Sequence, residues 1–110
     1  MKKIILSAAV TIFLTLGLAF PLKAETNIIE KCAIYGKLAE KAMTARQVGV
    51  PLQTMLDTVE DINSPTGKLI LAIILEAYDT PMYSTEEYKE KNIRRFADMW
   101  LLGCIKSFSD

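Results

Sequence analysis

Cysteine is the side chain in this sequence with the most specific chemistry, and there are two, Cys32 and Cys104, 72 positions apart. At that distance neither a C-x-x-C redox pair nor a cysteine-rich metal site can be drawn, and a covalent cross-link is the reaction left to the two thiols. Histidine is absent from all 110 residues, which removes a Ser-His-Asp triad, a Cys-His pair and every histidine-containing zinc site. The five glycines form no G-x-G-x-x-G or Walker pattern. Thirteen carboxylates leave a glycosidase-type acid pair available by count, but a cleft with two placed acids needs more scaffold than so short a chain offers. The expectation is a protein that is not an enzyme and carries neither metal nor cofactor.

A disulfide requires an oxidising compartment, and the start of the chain supplies a route to one. Lys2 and Lys3 precede an uncharged stretch over 4–20, followed by Pro21, Leu22, Lys23 and Ala24, the basic, apolar and small-residue order of a secretory signal. We expect cleavage after Ala24, a helical domain over 25–110, and a periplasmic or secreted location. The competing reading is an uncleaved anchor, for which the apolar stretch is somewhat short. Membrane contact is then expected only through the signal before cleavage. Removing residues 1–24 takes away three lysines and leaves 10 basic against 13 acidic side chains, a net charge of −3. No basic footprint for nucleic acid remains. So small a core gains from a staple, and closing a loop of this length is worth about 4 kcal/mol in the chain-entropy account.

The cysteines can meet only if the elements carrying them turn both thiols inward. From Ile28 to Val48, Ile28, Cys32, Tyr35, Ala39, Ala42 and Met43 share one helical face and Glu30, Lys37, Glu40, Lys41 and Thr44 the other. Asn27 with Glu30 resembles a capping box, and Gly49 suits the helix end. Pro51 opens a second, shorter helix whose apolar positions are Leu52, Met55, Leu56, Val59 and Ile62. Ser64 and Pro65 then start a third, uninterruptedly apolar from Leu69 to Leu75, read as a central helix because its length to Tyr78 exceeds a strand's. A fourth is expected from a Ser84 cap to about Lys106, with Tyr88, Ile93, Phe96, Met99, Trp100 and Cys104 inward. A Cys32–Cys104 bridge makes the first and fourth helices roughly antiparallel, so the fold class is all-α: a compact four-helix bundle stapled by one disulfide.

Two features exceed what such a bundle needs. Ala97, Leu101, Ile105 and Phe108 form a second apolar stripe on the last helix, to be covered by the second helix or offered to a partner or a second copy. Arg46 continues the inward stripe of the first helix, where it either covers the last carbonyls of that helix or pairs with an acid, or else anchors a partner. These five residues are the candidate partner-binding set. The charge run from Glu86 to Arg95 reads as a solvated face with supporting pairs four residues apart.

Two segments carry a resemblance. Cys32 through Pro51, with Leu38-Ala39, Met43, Ala45-Arg46-Gln47 and Gly49-Val50, and Ala77-Tyr78-Asp79-Thr80-Pro81 followed by Phe96 and Cys104, resemble small secreted two-cysteine helical proteins of unassigned function from bacteria and their phages. The resemblance implies a helical secreted domain and no catalytic residues. The expected function is therefore that of an exported helical protein that binds an envelope macromolecule, as an inhibitor of an envelope hydrolase or a phage superinfection-exclusion factor, or that associates with itself. A periplasmic acid-stress chaperone is the alternative, since protonating the carboxylates would swing the charge strongly positive. A small enzyme ranks last.

Overall fold

The computed structural model describes residues 27–109, all of whose regular structure is helical. The expected signal and its cleavage point lie outside the described residues. No described helix is long and apolar enough to cross a membrane. Cys32–Asp110 forms a compact unit, and the first helix begins a turn ahead of it.

Helix α1 covers 27–48, so Asn27 is already helical and not ahead of the helix as a cap. Its end is a Schellman turn: Gly49 takes φ +92°, the Val50 N–H donates to the Ala45 carbonyl at 2.9 Å, and the Gly49 N–H donates to Arg46 at 3.2 Å. Helix α2 is Leu52–Leu56, much shorter than the apolar spacing to Ile62 suggested. Thr58 ends it by donating its hydroxyl back to the Met55 carbonyl at 2.6 Å, a local bond that competes with helix continuation. Ile62 is accordingly exposed.

Helix α3, Pro65–Tyr78, starts as the sequence implied: Pro65 occupies the first turn and the Ser64 hydroxyl accepts from the Gly67 N–H at 2.9 Å. Gly67 has no room for a side chain, because a Cβ there would run into the Asp61 carbonyl. Ile73, Ile74 and Ala77 are buried, but Ala72 and Leu75 are exposed. The helix is therefore not enclosed all round; α2 packs on it but is too short to cover its outer face. Helix α4, Glu86–Ser109, is capped by Thr85 and not by Ser84: the Thr85 hydroxyl accepts from the Tyr88 N–H at 3.2 Å.

The core joins Ala39, Ala42 and Met43 of α1 to Ile73, Ile74 and Ala77 of α3 and Phe96 of α4. Each large side chain there contributes about 1.5–3 kcal/mol by leaving water. Helices α1 and α4 run antiparallel and are joined at two levels. Cys32 and Cys104 are disulfide-bonded with Cα atoms 5.6 Å apart, and the Lys89 ammonium donates to the Gln47 carbonyl at 2.7 Å. The two joints are 15 residues apart on each helix, about 22 Å at 1.5 Å per residue, so the helices lie alongside without slipping. Between them a Cβ on Gly36 would stand 3.5 Å from the Leu101 Cβ and 3.6 Å from the Ala97 carbonyl oxygen, which shows how closely α4 approaches α1 there. That approach rolls α4 relative to the expected stripe. Ala97 and Leu101 turn inward with Phe96, Trp100 and Cys104, while Met99 and Tyr88 turn out to solvent.

Candidate functional site

Near the C-terminal end of α1 lies the most elaborate polar arrangement. Gln47 is 1% exposed, the single buried polar side chain among the described residues. Its amide donates to the Pro81 carbonyl at 2.9 Å and its side-chain oxygen accepts from the Tyr83 N–H at 2.9 Å. Both ends of the amide are thus satisfied by the backbone linking α3 to α4, which is what a fully desolvated amide requires. Beside it the Arg46 Nε donates to the Thr80 carbonyl at 2.8 Å, with the guanidinium 5.5 Å from the centre of the Tyr78 ring. The Tyr78 hydroxyl donates to the Val50 carbonyl at 2.6 Å. Burial pushes the Tyr78 pKa above its ordinary 10.0, with Arg46 acting in the opposite sense. Tyr83 packs edge-on to Tyr88, with ring centres 6.4 Å apart.

Arg46 thus bonds a carbonyl of the α3–α4 connection, which is neither one of the last carbonyls of its own helix nor an acid. These contacts bring together the segments Ala45-Arg46-Gln47 and Tyr78-Asp79-Thr80-Pro81. Lys89, grouped by sequence with a solvated face, is half-buried against α1. Of the α4 stripe, Ala97, Leu101 and Ile105 are half-buried and Phe108 is exposed, with α1 rather than α2 reaching Leu101. Gln47 was not singled out by sequence. It stands four residues beyond Met43 and eight beyond Ala39, both buried, and that continuation of the stripe was the available signal.

Two grooves flank α2. One, about 330 Å3, has an apolar floor of Leu38, Ala42, Met55, Ile70 and Ile73, with Lys41 also lining it. The other, wider and shallower at about 500 Å3, is lined by Leu52, Leu75, Glu76, Tyr78 and Asp79. In the second, Leu75 is 48% and Leu52 38% exposed. Such surfaces offer van der Waals contact and charge to something that docks.

Comparison of the chain with protein families, with curated proteins and with solved structures finds no match.

Proposed function

We propose that this chain is an exported, non-catalytic binding module that docks onto another macromolecule of the cell envelope, acting as an inhibitor of an envelope hydrolase or as a factor that excludes superinfecting phage. The observation that carries the reading is the pair of exposed leucines, Leu52 and Leu75, lining an open groove on a frame joined at both ends. The α3 wall of the groove is tied down by the Tyr78 hydroxyl on the Val50 carbonyl at 2.6 Å, and a wall fixed before contact loses little freedom on binding. Export is supported by the Cys32–Cys104 disulfide, a bond that persists in oxidising compartments, together with the signal-like order of residues 1–24.

The test is photo-crosslinking in a host that exports the protein, with a benzoylphenylalanine placed in turn at Ile34, Leu75, Leu102 and Phe108, all exposed. A discrete envelope product from at least one position is expected. No product from any position, with the protein exported and folded, removes the reading.

A further inference from the structure

We propose that the face bearing Leu52, Leu75, Glu76 and Asp79 is the docking surface, and that its occupant is a basic protein that inserts a lysine or arginine side chain flanked by an apolar one. The inference rests on the binding-module reading and adds to it the place of contact and the chemistry of the partner.

The first argument is electrostatic. The C-terminal end of a helix carries the negative pole of its dipole, where cations are favourable and carboxylates are not. Helix α3 has no basic residue in its last turn; it carries Glu76 there and Asp79 as its C-cap, both exposed. Charge is thus concentrated at a point where the helix itself would be better served by lysine. The one cation held at this end is Arg46, bonded to the Thr80 carbonyl and lying against Tyr78, so two carboxylates face a single guanidinium and negative charge is left over.

The second argument is that apolar surface adjoins this charge. Leu75 precedes Glu76 on α3, and Leu52 completes the groove from α2. The shared chemistry of the two leucines and two carboxylates is complementary to a long aliphatic side chain ending in a cation, which lays its stem on apolar surface and its head among anions. Arg46 reaches this region from within, but its Nε is bonded to the Thr80 carbonyl and its guanidinium lies against Tyr78. A metal ion is the wrong occupant, because no cluster of three or more cysteine, aspartate or glutamate ligands exists among the described residues. The net charge of −3 over residues 25–110 favours encounter with a basic protein at longer range.

The third argument is rigidity. The backbone beneath the acids is held by the Tyr78 hydroxyl on Val50 at 2.6 Å and by the Asp79 N–H on the Leu75 carbonyl at 3.0 Å. The carboxylates are therefore presented from a fixed helix end and not from a mobile loop.

Two measurements test the assignment. In the first, the isotopically labelled, oxidised protein is titrated with two synthetic amphipathic helical peptides of equal length, one of leucine and lysine, the other of leucine and glutamate. The lysine peptide is expected to move the amide signals of Leu52, Leu75, Tyr78 and Asp79, with affinity that weakens as salt is raised. The Glu76→Lys/Asp79→Lys variant is expected to lose binding about tenfold or more while its amide spectrum keeps the native fold. Glu76→Gln/Asp79→Asn should fall between. Equal binding of the glutamate peptide, signal changes confined to other surfaces, or unchanged affinity in the lysine variant overturns the proposal. In the second measurement, the in-cell crosslink is expected through Leu75, to a basic protein, and is expected to vanish in the lysine variant. A partner captured through Phe108 or Leu102 but not through Leu75 overturns this assignment and leaves the binding-module reading standing; no capture anywhere removes both.

Discussion

Helices α1 and α4 are joined at both ends of their contact, once by a covalent bond and once by hydrogen bonds. At one end Cys32 and Cys104 are buried and bonded. At the other, Gln47 serves Pro81 and Tyr83 while its carbonyl takes the Lys89 ammonium. The covalent joint acts largely on the unfolded chain, by removing the freedom of a long loop. The polar joint acts entirely in the folded state and depends on every member being satisfied, since a buried amide with one partner missing costs more than it contributes. The first tolerates small shifts of its surroundings; the second specifies where the α3–α4 connection must lie.

The largest expected effect comes from breaking the covalent end. Cys32→Ala/Cys104→Ala should lower the free energy of unfolding by about 2–5 kcal/mol in urea titration. Amide exchange in that variant should quicken most around 32–36 and 101–104, and less at 43–47. Next comes the polar end: Gln47→Leu leaves the Pro81 carbonyl and the Tyr83 N–H without their partner, for a loss of about 2–4 kcal/mol, with rapid exchange now in 79–83. Gln47→Glu sharpens the point. Its neutral form keeps a donor for Pro81 and its charged form does not, so burial raises its pKa above the ordinary glutamate value of about 4.3. The folded state then holds the proton more tightly than the unfolded one, so this variant should be closest to wild type below about pH 4 and lose stability as pH rises.

A smaller effect, about 1 kcal/mol, is expected for Tyr78→Phe, which removes the bond to Val50. Because the Tyr78 pKa is raised above 10.0, the folded protein retains this proton better than the unfolded chain. The contribution is therefore whole below about pH 10 and lost as pH climbs past it, and the alkaline decline in Tm should be shallower in the Phe variant. The smallest, up to about 1 kcal/mol, is expected for Gly49→Ala, where φ is +92° and a Cβ strains the turn that aims Val50 at Tyr78.

The two joints were unequally legible in the sequence. Two thiols, each on an apolar helical stripe, announce their meeting because little else can be done with them. Glutamine announces nothing: on a helix it reads as surface, and its burial follows from the path of a connection 34 positions away. The start of α3 was legible because Ser64 and Pro65 act locally. The extent of α2 was not, since apolar spacing persists to Ile62 while a threonine hydroxyl ends the helix earlier. On α4, apolar side chains occupy more than one face, and the face that turns inward is chosen by what the opposite helix lacks, namely a side chain at Gly36. The acidic end of α3 could have been found from sequence by asking which helix terminus carries the wrong charge, a question about the dipole and not about hydrophobic period.

The antiparallel pairing of α1 with α4 bears on how the protein is made. The ribosome delivers α1 first, and Cys104, the α4 residue that bonds Cys32, follows 72 positions after it. At about 5–20 residues per second the delay is roughly 4–14 seconds, during which α1 has no native partner for its Cys32–Gly36 end. The α3 side of α1 can be covered earlier, so the Cys32–Gly36 end is the last part of that helix to find its native neighbours.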